Sequence, residues 1–459
     1  MNKLTAVILA AGAGTRMKSK LPKVLHQVCG QTMVAHVMDV AEKAEVQQTI
    51  LVIGHEAEQV KNSIKDRNVQ FALQQEQLGT GHAVMQAEKD LPDEGHVLLL
   101  CGDTPLIEEQ TIKNLINFHK TGDFQATILT AKFEDPTGYG RIVRNEKGHV
   151  IKIVEHKDAD EIEKNIQEIN SGIYCYDAKL LKRALKKLTN NNAQKEYYIT
   201  DVIEILNQEG YQIGAYQAED KTEIMGINSR IQLAQAEEIM RSKILRKLME
   251  SGVTILHPQN TYVDKTVKVG RDTILYPGTI LKGNTEIGED CIIGHNCRIE
   301  NSVIKNNVEI QSSTIIDSFV DESCHVGPYA YLRPNSKLGK KVKIGDFVEV
   351  KNSTMGDGSK ASHLAYIGDA QVGKNVNIGC GVVFVNYDGK NKYKTTVEDN
   401  AFVGSNVNLV APVTVKQNGY IATGSTITKE VPEGALSVAR EKQRNIMGWV
   451  EKKGLLKKD

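Results

Sequence analysis

The chain has few aromatic residues, no net charge and no long apolar run, and each shortage removes a class of protein. Only 8 Phe and one Trp occur among 459 residues, beside 38 Gly. Such a composition points to a turn-rich, regularly built structure. The 57 Lys and Arg are balanced by 57 Asp and Glu, which argues against non-specific nucleic-acid binding, because that needs a basic surface to displace counterions. No stretch reaches the roughly 18 apolar residues of a bilayer span, so no integral membrane segment is expected. Lys3 with the apolar run from Thr5 to Ala11 has the outline of a short signal peptide, but the run breaks at once into a glycine loop and reads as a buried strand. Seven cysteines, an odd number with no CxxC pair, fit a reducing cytoplasm better than a disulfide framework or a zinc site. What remains is ordinary globular composition in a chain too long for one hydrophobic core, which stops growing near roughly 250–300 residues. At least two domains are expected.

From residue 1 to 228 short apolar runs alternate with helical stretches. Ala6–Ala10, Thr49–Ile53, Val97–Cys101, Ala126–Ala131 and Ile173–Tyr176 read as strands, apolar enough for a sheet covered by helices on both faces. Ligands in such α/β sheets bind beyond the carboxyl ends of the strands. There lie Leu9, Ala10, Ala11 and Gly12, followed by Ala13-Gly14-Thr15-Arg16-Met17 and, shortly after, Lys23. Small residues let backbone N–H groups approach phosphate oxygens, and Arg16 and Lys23 offset charge that moves during phosphoryl transfer. The glycines alone would fit a tight strand-to-helix turn equally well; the two cations favour phosphate. Asp103 ends an apolar strand, where a carboxylate suits Mg²⁺ on nucleotide phosphates, although an Asp before Thr104-Pro105 also suits a plain turn.

The GxGTRM loop followed by Pro22-Lys23 resembles the signature of the sugar-nucleotide pyrophosphorylases. Companions recur downstream: Gln74, Leu78-Gly79-Thr80-Gly81-His82, Cys101-Gly102-Asp103, Gly138-Tyr139-Gly140-Arg141, Val154-Glu155-His156-Lys157, Ile169-Asn170-Ser171 and Gly226-Ile227-Asn228. The resemblance implies a Rossmann-like nucleotidyltransferase domain in which Gln74 and the backbone of Gly79 and Thr80 read uracil. It further implies that Gly140, Glu155 and Asn170 hold a sugar, that Asp103 and Asn228 carry Mg²⁺, and that UTP is a co-substrate. Cys101 stands where relatives usually carry Tyr or Ala.

Residues 229–250 lack Gly and Pro and place Ile231, Ala234, Leu245 and Leu248 near helical spacing, which predicts one linking helix. Beyond it, residues 251–459 form a second domain with an apolar period of six: Val263, Val269, Leu275, Leu281, Ile287, Ile293 and Ile299. The frame then slips and resumes at Ile304, Ile310 and Ile316, at Val326, Leu332, Leu338, Ile344 and Val350, and at Val397, Val403, Leu409, Val415, Ile421 and Ile427. Small or β-branched residues follow four positions after an anchor, such as Thr273, Thr279 and Ser336, and Gly often follows it directly. A fixed short period identifies a solenoid, here of some nine or ten coils. Cys291 and Cys297 occupy the small-residue position and read as core fillers. The spacing breaks between about 384 and 396, and such interruptions map to loops that often carry function. Arg333, Lys351, His363, Tyr366 and Asn377 cluster just upstream. Two cations suit a phosphate, and a histidine suits a general base at neutral pH.

This array resembles a left-handed parallel β-helix of the hexapeptide-repeat acyltransferases, and the Asn386-Tyr387-Asp388-Gly389 loop resembles their acetyl-CoA loop. Joined to the first half, the chain resembles the bacterial bifunctional acetyltransferase/uridyltransferases over its whole length. That implies Arg333 and Lys351 on a sugar phosphate, Tyr366 and Asn377 on glucosamine, and His363 as base. Cys380, Asn386, Tyr387, Ser405, Thr423 and Arg440 would line an acetyl-CoA site, with Cys380 and Thr423 standing where relatives commonly have Ala. It also implies a cytoplasmic homotrimer built through the β-helix and acting on small molecules. The residues alone leave open a β-helix that only oligomerises. The tail from Glu441 to Asp459, with Trp449, is expected to form a short helix closing the last coils.

Overall fold

The computed structural model describes residues 3–455; residues 456–459, the end of the expected tail, lie outside them. The chain divides into two compact units, Met1–Met240 and Arg241–Asp459. The boundary falls inside a helix running from Arg230 to Glu250. Along this helix Ala236 and Leu245 are buried, whereas Ile231 is exposed, so the apolar stripe starts later than the spacing of Ile231 and Ala234 predicts.

The first unit is built on a nine-stranded mixed sheet: β1 (Leu4–Ala10), β2 (Gln48–Ile53), β3 (Gln70–Leu73), β4 (His96–Cys101), β5 (Ala126–Lys132), β6 (Arg141–Arg144), β7 (Val150–Val154), β8 (Glu168–Asp177) and β9 (Ile213–Gln217). Its main path runs β9-β5-β8-β4-β1-β2-β3, with the β6–β7 hairpin attached through β8. β8 runs antiparallel to β4 and β5, which the apolar runs did not indicate, since burial on both faces gives a strand the same appearance in either direction. Alternate residues of β1 feed two cores, Ala6 and Ile8 on one face and Val7 on the other. The carboxyl ends of β1 and β4 therefore open at one edge, where the signature loop begins.

The second unit is a left-handed parallel β-helix. Three parallel sheets of 11, 10 and 9 strands share every coil, each strand pairing with the equivalent strand one coil on, as Leu275 does with Ile293. Anchors point inward: Leu275, Leu281, Ile293, Leu332 and Val350 are fully buried, each removing a side chain from water for about 1.5–3 kcal/mol. One anchor differs from expectation. Ile315 is fully buried and Ile316 only partly so, because the coil shortens there and the inward position advances by one residue. Burial of Met355, Ala361, Ile367, Val372, Ile378 and Phe384 shows that the coil continues where the sequence period was not legible.

Apart from Gly327, the glycines that follow anchors do not hold left-handed turn conformations; those fall mostly on Asn and Asp, such as Asp290, Asn296 and Asn375, and on glycines elsewhere in the coil, such as Gly278 and Gly358. At Gly270 a Cβ would lie 2.6 Å from the Gly288 backbone, so the need there is close stacking of coils. Thr273 shows how the core tolerates hydroxyls, donating to the Gly288 carbonyl at 2.8 Å and accepting from the Cys291 amide at 3.0 Å. Cys291 and Cys297 are fully buried fillers in the same positions, and burial raises both thiol pKa values. None of the seven cysteines is in a disulfide. The tail helix is Trp449–Lys452, with no buried residue. Its exposure corrects the expectation that it closes the last coils: the chain still pairs with the last coil at Ala439 and then leaves it.

Candidate functional site

In the first unit Leu9, Ala10, Ala11, Gly12, Lys23, Gln74, Gly79, Thr80 and Asp103 line one cavity of about 300 Å³ beyond the carboxyl ends of β1 and β4. Gly14 and Lys18 take left-handed backbone conformations, which turn the loop tightly after β1. Lys23 Nζ contacts Asp103 Oδ2 at 2.5 Å and Asn228 Oδ1 at 3.0 Å. Arg16 donates to the same Asn228 oxygen at 3.0 Å. Backbone ties hold these distant segments together, for the Ile227 amide donates to the Asp103 carbonyl at 2.9 Å. Four candidates from three parts of the sequence thus meet at one point. A carboxylate and an amide oxygen that already converge on a cation are the hard donors Mg²⁺ prefers, the rest of its shell being phosphate and water.

Gly140, Glu155 and Asn170 come together on the β6–β7–β8 side. A Cβ on Gly140 would lie 3.4 Å from the Asn170 Cβ and 3.6 Å from Glu155 Oε1. Burial raises the Glu155 pKa despite the hydroxyl bond from Thr200 at 3.4 Å. Asn170 is fixed by donating to Tyr174 Oη at 2.7 Å. Cys101 sits in the wall of the nucleotide cavity, where burial pushes its thiol up to about 12 and the S–H donates to the Gly172 carbonyl. It is a neutral filler. A larger cavity of about 860 Å³ opens at the amino ends of β1 and β4, beside His96 and His119, and brings together none of the candidates.

In the second unit Arg333, Lys351 and Tyr366 lie along one sheet of the β-helix. Arg333 pairs with Glu349 at 2.7 Å, and Lys351 lies 3.8 Å from Asp369. Asn386 donates to Tyr366 Oη at 3.4 Å and to Asp369 at 2.5 Å. His363 ends a strand on the adjacent sheet, with Nδ1 2.5 Å from Asp346 Oδ1. Because the carboxylate only accepts, Nδ1 carries the hydrogen, and in the neutral ring the lone pair is therefore on Nε2. Asn377 starts the next strand on that sheet, paired with Lys360, and forms no hydrogen bond with His363 or Tyr366 among the described residues.

The acetyl-CoA candidates form a column above His363. Gly381 N donates to the Leu364 carbonyl, Asn406 N to that of Cys380, Gly424 N to that of Ser405, and Arg440 Nη1 to that of Thr423 at 3.0 Å. At about 4.8 Å per coil the column is roughly 19 Å long. Tyr387 is exposed in the loop that makes this coil longer, its hydroxyl on the Gly389 carbonyl at 2.5 Å. Two residues escaped the sequence reading. Lys392, in the same loop, has its pKa lowered by contact with the Lys351 ammonium, so two cations are held together without full compensation. Asp346 carried no signal except its spacing of 17 from His363, one coil.

The nucleotidyl transferase family matches residues 5–234, the bacterial transferase hexapeptide family residues 266–301, and the GMPPB C-terminal domain family residues 317–436. A protein of Alkaliphilus oremlandii named bifunctional protein GlmU is 64% identical over 99% of this chain and 100% of its own length. Proteins of the same name from Alkaliphilus metalliredigens and Clostridioides difficile are 60% and 59% identical, over 99% and 98% of this chain and 100% and 97% of their own lengths. With both halves matched and the relatives spanned end to end, the chain belongs to the bifunctional GlmU family.

Proposed function

We infer that the chain makes UDP-N-acetylglucosamine in two steps, acetylating glucosamine-1-phosphate from acetyl-CoA and then coupling N-acetylglucosamine-1-phosphate to UTP. The observation that carries this is that each unit holds its own constellation: Lys23, Arg16, Asp103 and Asn228 meeting in one, His363 oriented by Asp346 at the foot of a column in the other.

In the first step His363 Nε2 takes a proton as the 2-amino nitrogen attacks the thioester carbonyl and the CoA sulfur leaves. Arg333, Lys351 and Lys392 hold the sugar phosphate, relieving the repulsion between the two lysines. Tyr366 and Asn377 position the amino sugar. The column from Cys380 to Arg440, with Asn386 and Tyr387 beside it, suits an extended pantetheine arm. In the second step a 1-phosphate oxygen attacks the α-phosphorus of UTP and pyrophosphate leaves, with Arg16 and Lys23 offsetting the charge. Asp103 and Asn228 would hold Mg²⁺, which when bound neutralises the phosphates.

The working form we propose is a homotrimer. Tyr329 and Phe347 stack at 5.5 Å between ring centroids on the corner beside His363. They and Leu364 are mostly exposed and hold left-handed conformations costly for bulky residues. A second copy would cover them and close the site. No helix among the described residues is long and apolar enough to cross a membrane, and with UTP and acetyl-CoA as substrates we assign the chain to the cytoplasm.

The test is to supply glucosamine-1-phosphate, acetyl-CoA, UTP and Mg²⁺ and follow CoA and pyrophosphate separately. His363→Ala should stop CoA release and spare pyrophosphate release from UTP and N-acetylglucosamine-1-phosphate; Asp103→Ala should do the reverse. Loss of both activities in either folded variant refutes separate sites, and pyrophosphate release without any acetyl transfer by the wild type leaves the β-helix as an oligomerising module.

A further inference from the structure

Gln74 is buried at the wall of the nucleotide cavity. Its amide nitrogen lies 3.1 Å from the Gly79 carbonyl and 3.1 Å from His82 Nδ1. A carbonyl only accepts, so the NH₂ must face Gly79, and that orientation makes His82 Nδ1 the lone-pair nitrogen and Nε2 the protonated one. The Gln74 Oε1 takes no hydrogen bond from any described residue and is not sealed from solvent. It is the atom Gln74 offers to the cavity. On the far side of the ring, the Gln86 amide nitrogen lies 3.1 Å from His82 Nε2 and 3.2 Å from the His82 carbonyl. The two amides therefore compete for the ring's single lone pair, and a half-turn of Gln86 trades its bond to the His82 carbonyl for an Nε2–H bond to Oε1. The Gly79 carbonyl is itself fixed: Gly79 has φ of +108°, and a Cβ there would lie 2.6 Å from the Tyr197 carbonyl.

We propose that His82 is a positioning residue that locks the Gln74 amide with its oxygen toward the base, and so sets the preference for uracil over cytosine. The inference rests on UTP being the nucleotide substrate. Uracil N3 carries a hydrogen and donates to an amide oxygen, whereas cytosine N3 has a lone pair in the same place and is repelled. An amide able to turn reads both, because its NH₂ serves cytosine as well as its oxygen serves uracil. Gly79 supplies one acceptor that resists the turn and His82 the second.

The experiment measures pyrophosphate release from UTP and from CTP, each with N-acetylglucosamine-1-phosphate, for the full chain and its variants. Wild-type turnover of UTP tests the reading beneath the proposal; the ratio of kcat/KM for UTP to that for CTP tests the lock. His82→Leu should lower the ratio about tenfold, the worth of one hydrogen bond at a buried amide, with turnover of CTP rising. His82→Asn, which restores an acceptor near the Nδ1 position, should recover most of it. Gln86→Leu, which removes the competing amide, should leave the ratio at or above the wild-type value. A ratio unchanged in His82→Leu, with both nucleotides losing equally, overturns the proposal, as does a wild type that turns over UTP and CTP alike.

Discussion

Replacing Asp346 with alanine should slow acetyl transfer about 5- to 30-fold, through His363 and by no other route. The carboxylate oxygen stands 2.5 Å from His363 Nδ1 and acts in two ways: it holds the ring with Nε2 unprotonated, and it favours the cation that forms when Nε2 takes the proton. Two unit charges about 4 Å apart interact by ~1 kcal/mol in water and ~4 kcal/mol at an effective dielectric of 20. The side chains here are 59% and 35% exposed, so solvent screens the pair and the lower end applies; about 1–2 kcal/mol is 5- to 30-fold in rate. Removing the base itself should cost ~10²–10⁴-fold. The assay is CoA release from acetyl-CoA and glucosamine-1-phosphate by wild type, Asp346→Ala, His363→Ala and the double variant. In the His363→Ala background the second substitution should cost nothing further. An equal loss in both backgrounds, or a parallel loss of pyrophosphate release, would refute the orienting role.

Lys392→Met should raise KM for glucosamine-1-phosphate about tenfold with little change in kcat, since the residue is assigned to the ground-state phosphate; a fall confined to kcat would place it elsewhere. Asp201 offers a test by pH. Burial, then the charges of Glu204 and Asp158, raise its pKa from 3.8 to about 6, so the native state binds this proton more tightly than the unfolded chain. The resulting destabilisation is absent below about pH 4, grows as pH rises through about 6 and is complete above it. Two pKa units would be about 3 kcal/mol, which the half-exposure of the group reduces to about 1 kcal/mol. Asp201→Asn should therefore raise Tm at pH 8 and not at pH 4, and an equal gain at both values would exclude titration as the cause.

The architecture of the second unit was legible because its packing is local and periodic. Each anchor meets its equivalents one coil away, so the sequence repeats what the structure repeats. Legibility failed where a coil changed length: Ile315 took the inward place expected of Ile316, and the coil joining Asn377 to Phe402, 25 residues long where its neighbour has 17, hid the anchors around it. In the first unit five of the nine strands were legible from their apolar runs; β3, β6, β7 and β9 were not, being short and only partly buried, nor was the reversed direction of β8, because pairing direction leaves no trace in a strand buried on both faces.

The sequence by itself determined the residue types at the reacting centres, since chemistry constrains those directly: Arg16, Lys23 and Asp103 beside strand ends, His363 amid cations. Only the tertiary structure decided which atoms meet. Lys23 reaches Asn228 across 205 positions, Asp346 reaches His363 across one coil, and Lys392 is brought against Lys351 by a loop. The physical reason is that hydrogen bonds and charges act over a few ångströms in space, a distance that composition and spacing do not encode unless, as along the β-helix, the fold itself is periodic in the chain.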